Sequence, residues 1–396
     1  MTKHNIAENA AKQYDYSLLA PGPVNLHPRV RQALSLPMIH HRTPEFDKIL
    51  ARVLLGLKKI FQTEQAVYMH SSTGSGGMES LLVNVLSPGD KVITIVSGKF
   101  GERWSQMASA IGAQVIDHNV PWGEAVRSDD IRTLLKQHPD ARAVLCQACE
   151  TSTGVVHPIQ ELANLIAPLP KTLFLVDAIT ALGAFHLPMD QWKIDGLVAG
   201  SQKALMLPTG LSFVSFSKKA EAFFDQATTP RYYFDIRREK KANSTGETFF
   251  SSSVSLVRAL DAVLNLIEEQ GLPQLFHSIH RRAEATRIFS QKLGFSLYAK
   301  TPSDSVTALV VPAGTDGQKI RLYLEENYNI TIMGGQDQAK GKIIRIGHMG
   351  YIHDEELLRL IECLGKTCQH FMHQSLSDAH IQSVIGEMKS WLETHP

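Results

Sequence analysis

The sequence predicts an α/β fold, in which a large domain on a mostly parallel, seven-stranded sheet is followed by a smaller C-terminal α+β domain. Three observations carry this. From about residue 66, short apolar runs alternate with helical patterns. Near residue 252 the pattern changes to two long helical stretches and then to β-α-β-β-α. A length of 396 residues is too great for one hydrophobic core.

The elements follow in order. "QAVYMHSS", "DKVITIVS", "AQVIDHNV", "RAVLCQAC" and "TLFLVDAIT" read as strands, separated by helical runs such as "MESLLVNVL", "GERWSQMASAIG", "SDDIRTLLKQH" and "PIQELANLIAP". "GLVAGS" and "LSFVSFS" add two closely spaced strands. Strand–helix alternation builds a mostly parallel sheet covered on both faces. The long patterns "SSVSLVRALDAVLNLIEEQG" and "LPQLFHSIHRRAEATRIFSQKLG" lead into "VTALVVP", "GQKIRLYLEENYN", "ITIMGG", "KIIRIGHM" and "HDEELLRLIECLGK". The tail from Ser377 reads as a last amphipathic helix. The expected organisation is an N-terminal arm over residues 1–20, a large domain over 21–275 and a small domain over 276–396.

Composition narrows the function. The chain is 43% hydrophobic and 20% charged, with a formal charge of +1, which argues against nucleic acid or an anionic membrane as partner. No apolar run is long enough to span a bilayer, and the N-terminus lacks the apolar core of a signal peptide. Four cysteines do not make a disulfide framework, so a cytoplasmic location is expected.

Ligands of open parallel sheets sit outside the carboxyl ends of the strands, and five unusual features fall there. In "SSTGSGGMES", Gly74, Gly76 and Gly77 open a helix whose free N–H groups favour an anion, and Ser75 adds a hydroxyl. The plain alternative is a flexible turn. In "GKFGERW", Phe100 lies between glycines and can lie flat on a planar ligand, or plug the core. In "CETSTGVVHP", Thr151, Ser152 and Thr153 offer hydroxyls; Cys146 and Cys149 read as strand residues, since no second pair with zinc spacing is near. Asp177 ends a very apolar strand, where a carboxylate needs a cation or N–H partner. Lys203, in "AGSQKALM", has no acid nearby in sequence. A desolvated lysine is a nucleophile toward carbonyls, whereas an isolated surface lysine merely snorkels.

Together these features describe a ligand with a phosphate, a flat ring, a ring nitrogen seeking an anion, a ring oxygen seeking donors and an aldehyde seeking an amine. Pyridoxal phosphate has all five.

In order along the chain, "LLAPGPVNLHPRV", "HHRTPEF", "TGSGGMES", "GKFGERW", "ETSTGVVHP", "VDAIT", "GSQKAL" and "KGKIIRIGHMG" resemble the motifs of the class V aminotransferases of pyridoxal-phosphate fold type I. The branch most similar is that of the alanine/serine–glyoxylate (serine–pyruvate) aminotransferases. The resemblance implies roles. Lys203 would bind the cofactor aldehyde and act as the base. Asp177 would pair with the ring nitrogen. Ser75, Gly76 and Gly77, with Gln202, would hold the phosphate. Phe100 would stack on the ring and Thr151 would sit near its 3-oxygen. Arg345 would clamp the substrate α-carboxylate. Backbone from Pro21 to Pro23, Gly22 included, would close over the substrate. Relatives often carry a Tyr and a Thr-Pro pair before the long linking helix, which the partner subunit contributes to the phosphate. Here "GETFFSSSVSL" has no proline, and Ser251 or Thr248 would take the threonine's place. The resemblance also implies a homodimer.

The implied reaction is ping-pong transfer of an amino group from a small amino acid to a 2-oxo acid such as glyoxylate or pyruvate. Aspartate or 2-aminoethylphosphonate remain open as substrates; a dicarboxylate would need a second cation, and Arg42 or His41 could be one. A cysteine desulfurase-like lyase of the same fold needs a mobile cysteine before the arginine motif, but Cys363 and Cys368 follow it. A non-catalytic role within a larger redox complex has no use for an intact Lys203, Asp177 and Arg345 set.

Overall fold

The computed structural model describes residues 16–372 and 376–396; residues 1–15 of the expected N-terminal arm lie outside them. At its centre is a seven-stranded sheet. In spatial order the strands are Val67–His70, Ser212–Phe216, Gly196–Gly200, Leu173–Asp177, Ala143–Gln147, Lys91–Val96 and Gln114–Asn119. Six run parallel to one another, and only Ser212–Phe216 runs against its neighbours. The mostly parallel sheet expected from the sequence is therefore present.

Strands Leu173–Asp177, Gly196–Gly200 and Ser212–Phe216 are buried at every residue. That is why they read as unbroken apolar runs, since helices cover both faces. Met78, Leu81, Trp104 and Val214 fill one side. Phe46, Leu57, Val176 and Phe213 fill the other. The edge strand Gln114–Asn119 is more exposed and more polar, as an unpaired edge requires.

Helices Pro28–Leu34 and Pro44–Phe61 each begin with proline in the first turn. Phe46, Leu50, Val53 and Leu57 line one buried stripe of the second. Both pack on the long helix Val254–Gln270.

The second sheet is wholly antiparallel, in the order Ser296–Leu297, Val306–Val310, Ile343–Gly347, Met333–Gly334. It has its own core of Phe289, Leu309, Ile344, Ile346, Leu360 and Leu364. Near the start of the described chain, Ser17–Leu18 pairs in parallel with Ile330–Thr331, and the Gly347 N–H donates to the Leu19 carbonyl at 2.7 Å. A side chain at Gly347 would overlap the Ala20 carbonyl. This glycine lets the N-terminal segment cross the second sheet and bring Pro21 to Lys203. Among the described residues, no helix is long and apolar enough to cross a membrane.

Candidate active site

The carboxyl ends of the parallel strands gather the chemistry at one edge of the large sheet. Lys203 lies in the turn between Gly196–Gly200 and Ser212–Phe216. Ser201 fixes that turn: its Oγ donates to the Pro208 carbonyl at 2.7 Å and accepts the Leu211 N–H at 3.2 Å. The Met206 N–H donates to the Lys203 carbonyl at 2.9 Å. The lysine Nζ donates to the Pro21 carbonyl at 2.8 Å and forms no ion pair among the described residues. Burial pushes the amine down to about 8, although the charge of Asp177 partly opposes this. Gly22 has φ +127°, and a Cβ there would collide with the lysine side chain. Gly22 therefore lets the segment pass directly over the amine.

Asp177 ends the central strand Leu173–Asp177 and is 5% exposed. Its Oδ1 accepts the Ile179 N–H at 2.8 Å, the only hydrogen bond to the carboxylate among the described residues. Burial raises its pKa to about 6, while the charges of Arg103 and Lys203 act the other way.

The helix Gly74–Val85 begins after the strand Val67–His70, and Thr73 makes no side-chain cap. Its terminal N–H groups are left for a ligand. A Cβ at Gly76 would press on Ser72 and Phe234, and one at Gly77 on Val198 and Ser212. Both glycines are thus required for the loop to sit down on the sheet. Phe100 stands in the first turn of the helix Lys99–Ala110.

Glu150 anchors that turn. It is fully buried, and its carboxylate accepts the N–H groups of Phe100 at 3.1 Å and Gly101 at 3.0 Å, together with Gln147 Nε2 at 3.0 Å and the Ser152 hydroxyl. Burial raises its pKa, and these donors oppose the rise. Glu150 lies in the "ETSTG" run, whose hydroxyls alone point to a ligand in the sequence. An acid directly at a strand end, beside a run of hydroxyls, was the available signal. Arg103 was also missed. Its Nη1 donates to Ser75 Oγ at 3.1 Å, and its guanidinium carbon lies 4.9 Å from the centre of the Phe100 ring.

Arg345, 6% exposed, lies on the strand Ile343–Gly347. Its Nε donates to the Gly334 carbonyl at 3.0 Å and its Nη1 to the Thr151 carbonyl at 2.9 Å. Nη2 carries no hydrogen bond among the described residues, so the guanidinium is held on one side and free on the other. Burial pushes its pKa down to about 10, and its charge reaches Lys203. The Thr151 hydroxyl pairs with that of Thr180 at 2.7 Å. Gln202 has its Oε1 buried with no partner.

Lys203 is thus brought within electrostatic reach of Asp177, Arg345 and Arg103, Asp177 feels Arg103 as well, and Arg103 links Ser75 to Phe100. Ser251 stands apart. It is exposed and lines a small cavity with His70, Tyr233 and Thr248. The Thr248 hydroxyl is engaged with the Phe250 carbonyl at 2.7 Å and Ser252 Oγ at 2.8 Å. Arg42 pairs with Glu247 at 2.6 Å, and His41 stacks on His40. The assembled part offers a partly deprotonated amine, an uncapped helix terminus for an anion, a buried acid and a guanidinium with one open edge.

The sequence model described as aminotransferase class-V matches residues 30–360. The chain is 38% identical over 346 residues to the L-aspartate–glyoxylate aminotransferase of Paracoccus denitrificans, covering 85% of this chain and 87% of that one. It is 36% identical over 351 residues to the small subunit of a soluble hydrogenase of Synechococcus sp., covering 88% and 91%. The crystal structure of an alanine–glyoxylate aminotransferase from Nostoc sp. superposes with a TM-score of 0.86 at 30% identity, covering 89% of this chain and 95% of that one. This chain belongs to the class V aminotransferase family.

Proposed function

We propose that this aminotransferase uses pyridoxal 5′-phosphate to move the amino group of a small amino acid, such as alanine or serine, to a 2-oxo acid such as glyoxylate or pyruvate. The observation that carries this is Lys203, a buried amine without an acid partner among the described residues, held within reach of the Asp177 and Arg345 charges. The residues present fit the cofactor. Gln202 Oε1 is buried and unpartnered, Asp177 has one carboxylate oxygen to spare, and the helix at Gly74 has no cap.

Pyridoxal phosphate, when bound, supplies an aldehyde that carries the amino group and a ring that takes up the electron pair released at the α-carbon. The remaining work falls to the protein. Asp177 holds a proton on the ring nitrogen. The terminal N–H groups at Gly74 and Ser75 bind the phosphate. The face of Phe100 orients the ring, and Glu150 keeps Phe100 in place. Arg345 takes the substrate α-carboxylate on its free edge, and Lys203 Nζ moves the proton at the α-carbon. The Pro21–Pro23 segment excludes water above the amine.

Arg345 offers one open edge for a carboxylate, and Arg103 is tied to Ser75 at the helix start, which supports a monocarboxylic substrate. A dicarboxylate such as aspartate, the substrate in the name of the Paracoccus relative, would need Arg42 released from Glu247. Cys363 and Cys368 are buried in the C-terminal core, with thiols pushed up to about 11 and 12. This favours transamination over cysteine desulfuration. Four free cysteines support a reducing, cytoplasmic setting. A homodimer is supported by the exposed Tyr232, Phe249 and Ser251, which would face the partner's site.

The test is the half-reaction over a panel of amino acids, read in the cofactor's visible absorption. Conversion of the bound cofactor to its amino form by alanine or serine supports the reading. A normal cofactor spectrum that neither amino acid changes would sink the substrate assignment.

A further inference from the structure

An anion at the start of the helix Gly74–Val85 needs more positive charge than this loop provides. The run Thr73–Ser80 contains no lysine, arginine or histidine. His70, just upstream, is buried and pushed down to about 4, so it is neutral near pH 7. A helix terminus is worth about half a charge, while a phosphate monoester carries roughly 1.5 to 2 negative charges at pH 7.

Among the described residues, one cationic side chain is hydrogen-bonded to this loop. Arg103 Nη1 donates to Ser75 Oγ at 3.1 Å. Arg103 sits one turn after Phe100 on the helix Lys99–Ala110, so the two side chains share a face. The guanidinium carbon lies 4.9 Å from the Phe100 ring centre. No carboxylate pairs with Arg103 among the described residues, although Lys99 on the same turn pairs with both Glu102 and Asp337. An arginine left without an acid, beside an uncapped helix terminus and within reach of Asp177 and Lys203, has its charge free for a ligand.

We propose that Arg103 supplies the positive charge for the cofactor's phosphate and ties Phe100 to the phosphate loop. This rests on the pyridoxal-phosphate reading above. Its guanidinium fork suits a phosphate oxygen, and its contact with Phe100 couples the seat of the phosphate to the seat of the ring.

The test compares pyridoxal phosphate with pyridoxal, which lacks the phosphate, on full-length cofactor-free protein by equilibrium dialysis. Arg103→Met and Arg103→Gln should weaken pyridoxal phosphate by about tenfold to a hundredfold, as expected for a lost charge-assisted hydrogen bond, and weaken pyridoxal, through the loosened Phe100 alone, by far less. Arg103→Lys should keep most of the affinity. Arg103→Gln keeps an amide donor without the charge, and it decides the matter with Arg103→Lys if the methionine variant does not fold. Variants that bind pyridoxal phosphate as the wild type does, or lose both compounds equally, overturn the proposal. Wild-type protein that binds neither compound overturns the cofactor reading as well, so the two failures are distinguishable.

Discussion

The amine of Lys203 is hydrogen-bonded at 2.8 Å to the carbonyl of Pro21, a residue 182 positions earlier in the chain. The bond closes the site from above. It depends on Gly22, whose φ of +127° and missing side chain leave room for the amine. Gly22→Ala should fold at a cost of about 1–3 kcal/mol for the strained backbone. Because the lysine must move, the half-reaction with alanine should slow by about a hundredfold. Stopped-flow absorption checks this, and an unchanged rate would show that the segment does not constrain Lys203.

The lowered pKa of Lys203 sets a pH dependence. Only the neutral amine attacks an aldehyde. The rate at which cofactor-free protein takes up pyridoxal phosphate should therefore rise with pH and level off above about 8, where an ordinary lysine would still be rising toward 10.5. Lys203→Ala should show neither covalent attachment nor turnover. A midpoint near 10 would remove the argument from burial.

Asp177 makes a less obvious prediction. Its folded pKa of about 6 lies above the ordinary 3.8 because burial disfavours the charged form. Below about 3.8 the acid is protonated whether folded or unfolded and costs nothing. The penalty grows from there and is complete above about 6, where it reaches roughly 3 kcal/mol. Asp177→Asn carries no charge. In cofactor-free protein it should melt higher than the wild type at pH 7, with the gap closing as pH falls below 4, while losing activity. Calorimetry across that range checks the sign.

Arg345 should show its role in the split between KM and kcat. Arg345→Ala should lower kcat/KM for alanine by about two orders of magnitude, mostly through KM, the loss expected for a charged hydrogen bond to a carboxylate. Arg345→Lys should not restore it, because an ammonium lacks the planar fork whose separate nitrogens reach the Gly334 and Thr151 carbonyls and leave an edge for the substrate. A simple alkylamine, having no carboxylate, should react equally with both variants and the wild type.

Much of this site was legible because its parts sit at strand ends, where a residue out of keeping with its surroundings stands out. Asp177 after an apolar strand, glycines opening a helix and Lys203 among small residues are local signals. Other parts depend on distant packing. The helices Pro28–Leu34 and Pro44–Phe61 precede the strand–helix alternation, and their buried stripes find partners far along the chain, chiefly in Val254–Gln270. The direction of Ser212–Phe216 was not read, because an apolar run carries no mark of its orientation. Arg103 and Glu150 are ordinary charges in the sequence. Their tasks follow from the turn at Phe100, which one of them braces and the other faces.

The placing of Ser212–Phe216 also bears on how the protein is made. Among the described residues, Val67–His70 has no other neighbour in the large sheet, and Val67 lies opposite Ser215. A chain emerging from the ribosome therefore carries the Gly74–Gly77 loop on an unpaired strand until residue 216 has been synthesised. Lys203 arrives shortly before, and the turn that fixes it closes on Leu211. The helix start at Gly74 and the turn at Lys203 thus gain their strand partners within one short stretch of synthesis, late in the formation of the large sheet.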